Sequence, residues 1–334
     1  PCLKPSLGGT LNVNPLPTAS FSGTAEACQN DAVLPAITFT GAGGTRPYTF
    51  TYTIDPGTGP GLPQTVSTTA LSNSVTVQQP TGVVGTFTYK LTSVQDGTVT
   101  ACSQSVSVPD QIIKINPVPT ASVDGSKLVC INSTSPDITF TGAGGTAPYN
   151  FAYRVDAGAG PGPLQFISTT GTNTSVTLQV PTTVAGTFTY ILESVQDGSS
   201  TACLQAQTGN AVIDVSDVFP IADFSFGGPV CIPNALVKFQ NMSAISNGTP
   251  LTYLWDFDDG SNTSTAVNPS HLYGTANTFN VILEATSNAG CKTTNTIPVN
   301  NIHPQPKADF TFNKPGICIG DNVTITDNSD GKDG

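Results

Sequence analysis

ITFTGAGGTRPYTFTYTI (Ile37–Ile54) holds the end of one alternating run, a glycine turn and the start of another. In the second run Tyr48, Phe50, Tyr52 and Ile54 alternate with Thr49, Thr51 and Thr53. A period of two over aromatic and β-branched residues is the signature of a strand with one buried and one wet face. The same text returns at Ile138 as ITFTGAGGTAPY, 101 positions later, followed by Tyr149, Phe151, Tyr153 and Val155 in the inward phase. NPLPTAS at Asn14 returns as NPVPTAS at Asn116, and GTFTYKLTSVQDG at Gly85 as GTFTYILESVQDG at Gly186. Copies spread over a whole period of about a hundred residues describe a duplicated domain, since solenoid repeats run to about 20–50 residues.

Further alternating runs complete each copy: Val75 and Val77, then Phe87, Tyr89 and Leu91 in the first; Val176 and Leu178, then Phe188, Tyr190 and Leu192 in the second. GAGGT, DPGTGPG, PTGVVG and QDG stand between them as turn signals. Helical periodicity is absent. Short strands and glycine or proline turns over about a hundred residues predict an all-β chain of tandem immunoglobulin-like sandwiches. The proline-rich joints restrict φ, so the expected arrangement is an extended, semi-rigid array.

Charged residues make up 10% of the 334, and 11 Lys+Arg against 22 Asp+Glu leave a net charge of -11. That balance excludes the basic footprint of a nucleic-acid binder. No apolar run is long enough for a membrane-spanning helix. Catalytic material is scarce: the histidines are His271 and His303, and no HExxH, GxSxG, Walker or Rossmann motif occurs. The reading is therefore not an enzyme.

Eight cysteines stand at 2, 28, 102, 130, 203, 231, 291 and 318, none in a CxxC pair. Disulfides at this density imply an oxidising, extracellular setting. In the repeat Cys28 matches Cys130, and Cys102 matches Cys203. The economical pairing is one bridge inside each domain: Cys28 with Cys102, Cys130 with Cys203, and Cys231 with Cys291. By their repeat phase, Cys2 and Cys318 pair outside the fragment.

Residues 219–302 drift from the repeat and contain YLWDFDDGSNTSTAVNPSHLYGTANTFNVILEATSNAGC. This resembles the PKD domain, with Trp255, Asp256, Phe257, Asp259 and Gly260, then Asn268, Pro269, His271 and Tyr273, in the family pattern; Asp258 replaces the usual glycine. ADFTF at Ala308 echoes ADFSF at Ala222. The first two units resemble PKD-like repeats of very large Bacteroidetes surface proteins, including gliding adhesins exported by type IX secretion. The resemblance implies this division: residues 1–15 end a preceding PKD-like domain, 16–116 and 117–218 are PKD-like repeats, 219–304 a PKD domain, and 305–334 the start of another. It also implies a secreted cell-surface stalk or filament segment of adhesive function. Its partners would be neighbouring domains of the same chain, with surface glycans or sister chains beyond them. The alternative is a glycan-binding or spacer module accompanying a secreted degradative enzyme.

Asp256, Asp258 and Asp259 lie in one turn and are candidate Ca²⁺ ligands, calcium being the one cofactor the residues suggest. The plainer reading is that such aspartates cap turn amides, as expected also of Asp96 and Asp197 in the VQDG turns. Asn132, Asn173, Asn241, Asn247, Asn262 and Asn322 each open an N-x-S/T triplet, which a Thr/Ser-rich chain produces often by chance. Trp255 is expected in the core with Tyr253 and Phe257.

Overall fold

The computed structural model of the chain describes residues 8–9 and 12–330. Every regular element among them is a β-strand. The first sandwich is made of β1 (Thr18–Ser22), β2 (Ala25–Cys28), β3 (Ala36–Ala42), β4 (Thr49–Asp55), β5 (Gln64–Ser67), β6 (Ser74–Gln78), β7 (Gly85–Gln95), β8 (Ser103–Ser105) and β9 (Gln111–Asn116). One sheet runs β1-β3-β6 and the other β2-β9-β7-β4-β5, with β8 pairing β7. This is an immunoglobulin-like topology in which the first strand is split between the sheets. Its second half, β2, lies parallel to the last strand β9.

The alternation in the sequence is the alternation of burial. Phe39, Phe50, Tyr52, Tyr89 and Leu91 are buried together with Ile37, Ile113 and Ile115, while the threonines between them face outward or are half-buried. Gly41 is required by the packing: a Cβ there would lie 2.4 Å from Cγ of the Tyr48 ring. Tyr48 in turn donates its hydroxyl to the Gly44 carbonyl at 2.9 Å. The repeated TGAGGTxPY motif is thus a tyrosine folded back over its own glycine turn. The second sandwich repeats the order between Thr120 and Ser216 around Ile138, Phe140, Phe151, Tyr153 and Leu192.

The third sandwich, with its core from Ala222 to Ile302, is built around Trp255. The indole is fully buried, edge-on to Phe224 with centroids 5.0 Å apart, and its Nε1 donates to the Ala266 carbonyl at 2.9 Å. Its partners Phe239 and Phe257 occupy the same core. Beyond it, Phe310–Phe312 pairs with Ile325–Asp327 as a hairpin whose apolar side chains are exposed.

Strand polarity gives each sandwich two distinct poles. In β2-β9, Cys28 sits opposite Asn116, so the cysteine and the last strand residue share the C-terminal pole. β7 runs antiparallel to β9 with Gly85 opposite Ile115, so β7 starts at that pole and ends, at Gln95, at the other. The ten steps of ~3.3 Å along these eleven residues separate the poles by about 33 Å.

Candidate functional site: the joints between sandwiches

The expected bridges are not the ones the structure makes. Cys28 bonds Cys203 and Cys130 bonds Cys291, each linking one sandwich to the next. Cys102 and Cys231 carry no bridge among the described residues, nor does the exposed Cys318; Cys2 lies outside them. The pairings Cys28 with Cys102, Cys130 with Cys203 and Cys231 with Cys291 fail for one reason. In each domain the first cysteine ends the strand at the C-terminal pole, and the second lies in the hairpin turn at the N-terminal pole. A disulfide needs Cα atoms about 4.4–6.8 Å apart, and the length of a strand stands between them. Across the joint the Cα separations are 5.6 and 5.0 Å.

The turn cysteine is held by the motif that repeats with it. In GlnAspGlySerSerThrAlaCys (196–203), the buried Asp197 carboxylate accepts from the backbone amide of Cys203 at 2.9 Å, the Ser199 hydroxyl at 2.7 Å and the Thr146 amide at 2.9 Å. Gly198 closes the cradle, since a Cβ there would meet Cδ of Pro148 at 2.5 Å. The glycine turn of one repeat motif and the QDG turn of the other are one device. The carboxylate that the sequence suggested as a turn cap clips the two loops together and aims Cys203 at the preceding domain. Asp96 does the same around Cys102, accepting from the Thr98 hydroxyl at 2.7 Å and from the amides of Thr45 and Cys102. The Thr98 hydroxyl holds the Asp96 carboxyl below its usual range, against burial, and the three backbone amides add to it.

Polar contacts flank the first bridge. Asn116 donates its amide to Thr201 Oγ1 at 3.1 Å and to Glu26 at 3.0 Å, and Ser200 donates to the same Glu26 carboxylate. The Ser200 and Asn116 donors lower the Glu26 pKa, and Lys114, 3.9 Å away, adds to this. The second joint is apolar instead: Cys130 and Cys291 pack with Ala289 and Ile131, and Leu128 takes the place of Glu26. A groove of about 540 Å³ lies beside it, bordered by Leu128, Asp214, Asp217, Asn247, Thr249 and Asn288. All four bonded cysteines are buried.

The WDFDDG turn in the third sandwich brings its aspartates near one another in sequence but aims them apart. Asp256 accepts from the Asp258 amide, and Asp258 reaches across to the Asn280 amide at 2.8 Å. Asp259 meets His271 Nε2 at 2.7 Å and accepts from the Ser261 amide. Burial pushes the Asp259 pKa up, but the donors from Ser261 and His271 outweigh it and the net shift is downward. The His271 ring stacks on Phe257 at 4.1 Å, with Tyr273 edge-on at 4.6 Å. The three carboxylates are committed to backbone amides and to this histidine. Among the described residues no three His, Cys, Asp or Glu side chains converge as a metal site would require. His303, opposite Cys231 in the parallel pair at the C-terminal pole, stands apart from them. Among the described residues there is no helix long and apolar enough to cross a membrane.

Residues 218–300 match the family described as PKD domain. Over 124 residues the chain is 31% identical to the pre-pro-metalloprotease PrtV of Vibrio cholerae, a match covering 36% of this chain and 12% of the protease. The crystal structure of the PKD1 domain of that protease is 32% identical over 24% of this chain and 94% of that domain, with a TM-score of 0.22. The PKD1 domain of Vibrio anguillarum Epp is 26% identical over 26% of this chain and 96% of that domain, with a TM-score of 0.23. The family match is confined to residues 218–300, one unit of the chain.

Proposed function

We propose that this chain is a load-bearing stalk or filament segment of a secreted cell-surface protein, of the kind found in the Bacteroidetes gliding and attachment adhesins that its first two units resemble. The observation that carries this reading is the overlap of the two bridges. Cys130 lies inside the loop closed by Cys28–Cys203, and Cys203 lies inside the loop closed by Cys130–Cys291. Three chain segments therefore run in parallel between the two bridges: 28–130, 130–203 and 203–291. Even with every sandwich unfolded, the shortest of them, about 70 residues, limits the separation to about 250 Å. The unbridged chain would extend over about 900 Å between Cys28 and Cys291. A module that only presents a ligand gains nothing from such a limit, whereas a stalk under tension does. Disulfides of this number also favour an oxidising, extracellular location, and sister chains or surface glycans are the partners such a stalk would meet.

Single-molecule stretching tests the reading. With the bridges intact, the stretch between Cys28 and Cys291 should stop lengthening near the short limit; with both bridges removed by Cys→Ser substitution it should reach the long one. Extension to full length at low force with the bridges in place would overturn it. A second reading, a spacer in a secreted enzyme, draws support from the likeness to a metalloprotease's PKD domain. A third, a glycan-binding module, needs exposed rings. The aromatic side chains of the three sandwiches are mostly committed to their cores, and retention on chitin or cellulose would favour it.

A further inference from the structure

We infer that Cys102 and Cys231 are the two open ends of a disulfide relay, each built to take a cysteine from a further sandwich of this same kind. The relay rule is visible twice: the strand-end cysteine of one domain bonds the turn cysteine of the next. Cys102 is a turn cysteine and Cys231 a strand-end cysteine.

The setting of Cys102 matches that of Cys203 atom for atom. The Cys102 amide donates to Asp96 Oδ1 at 3.0 Å, as Cys203 does to Asp197 at 2.9 Å. The Asp96 amide donates to the Cys102 carbonyl at 2.9 Å and the Asp197 amide to that of Cys203 at 3.0 Å. Ala101 and Ala202, just before them, share a φ of 49°. A second observation is independent of the cysteine. Across the first joint, Asn116 closes the preceding domain by donating to Thr201 at 3.1 Å. Asn14, the matching asparagine of NPLP, donates to Thr100 at 3.0 Å. The docking contact of a preceding domain's last residue is already seated beside Cys102.

The other end is equally prepared. Cys231 is exposed and paired in parallel with His303, as Cys28 is with Asn116 and Cys130 with Ser216. Downstream, the Cys318 amide donates to Asp321 as the Cys28 amide does to Asp31, so the strand-end cysteine setting recurs once more. The recognised partner is a sandwich in series presenting Cys beside its final residue at the N-terminal joint, or Cys in a hairpin turn clipped by Asp, as around Cys203, or by Ser, as around Cys291, at the C-terminal one. Bond formation breaks two S–H bonds and makes one S–S bond. The two electrons and two protons pass to a small-molecule disulfide such as oxidised glutathione, which leaves as two thiols.

The test extends the full chain by one domain. A second copy of residues 15–116 is inserted between Asn14 and Pro15, the protein is oxidised in a glutathione buffer, and the bridges are mapped by mass spectrometry without reduction. The added copy's counterpart of Cys28 should bond Cys102, leaving the added counterpart of Cys102 open to iodoacetamide. In the Cys102→Ser version the added Cys28 counterpart should become alkylatable. A second variant, repeating residues 219–304 after residue 304, should bond Cys231 to the added counterpart of Cys291, and it keeps the test decisive if the first insertion does not fold. A bridge inside the added domain, full alkylation of Cys102, or a dimer joining Cys102 of one chain to Cys231 of another would overturn the assignment. Bridge mapping does not depend on load, so it can fail or succeed separately from the stretching experiment.

Discussion

Replacing both Cys28 and Cys203 by serine should destabilise two sandwiches at once and leave the third alone. With the bridge in place and the second sandwich unfolded, its chain runs from Asn116 to Cys203. Cys203 remains bonded to Cys28, which sits opposite Asn116 on the folded first sandwich. The loop actually closed is therefore about 90 residues, not the 175 between the cysteines. The same holds for the first sandwich, whose chain from Cys28 to Asn116 is pinned at both ends when the second is folded. A closed loop of about 90 residues corresponds to about 4–5 kcal/mol in the chain-entropy relation, and measured bridges centre on about 2–4 kcal/mol. Each of the two domains should lose about 2–5 kcal/mol, or roughly 10–25 °C in melting temperature for a domain of this size.

Scanning calorimetry of the double variant should show two transitions moved down and one unmoved, the third sandwich being held by Cys130–Cys291. Cys102→Ser is the contrast. Under the pairing expected from the repeat it would release a bridge, but in the structure it removes a half-exposed, unbonded thiol and should cost within about 0.5 kcal/mol. If Cys102→Ser lowers the first transition as far as the double variant does, or the double variant moves none, the joint assignment is wrong.

Asp197→Ala leaves the amides of Thr146 and Cys203 without their acceptor in a buried turn and should cost the second sandwich about 3–5 kcal/mol by urea denaturation. Trp255→Ala opens a large void among Phe224, Phe239 and Phe257 and should cost the third sandwich about 3–5 kcal/mol, read by the same method. Glu26 has its pKa lowered from 4.5 first by Ser200 across the first joint, with Asn116 and Lys114 of its own sandwich adding to it. A depressed carboxyl stabilises the folded joint above its unfolded pKa and loses that contribution as pH falls through the folded one. The stability difference between the native chain and Glu26→Gln should thus be fully present at neutral pH and vanish progressively below pH 4.5; a difference that grows towards acid would contradict the assigned contacts. Because the bonded cysteines are buried, dithiothreitol without denaturant should leave both bridges intact while iodoacetamide labels Cys231 and Cys318.

The strands were legible because burial and period coincide: Phe50, Tyr52, Tyr89 and Leu91 face inward as their alternation requires, and Trp255 is the core of its sandwich. The WDFDDG and QDG aspartates were legible as turn caps for the same kind of reason, since a short carboxylate beside backbone amides has few other partners. The bridges were not legible because a repeat reports equivalence and not proximity. Cys28 and Cys130 are equivalent, as are Cys102 and Cys203, and that statement is satisfied equally well by bridges within domains and by bridges between them. Strand polarity separates the two. Between Cys28 and Cys102 the chain makes five passes along the sandwich, β3 to β7, whose order in the sheets no periodicity discloses, and the parallel pairing of Ala25–Cys28 with Gln111–Asn116 places the first cysteine at the far pole. The sequence did carry one trace of the joint. NPLP and NPVP recur in phase with the cysteines because Asn14 and Asn116 are each the last residue before a new sandwich, hydrogen-bonded to the threonine two residues ahead of its turn cysteine. Every residue of the copy repeats in that phase, and the second joint has Ser216 at the same place, so it is the hydrogen bond to the threonine, and not the repetition, that assigns the asparagine to the joint and sets the cysteine beside it against the next domain.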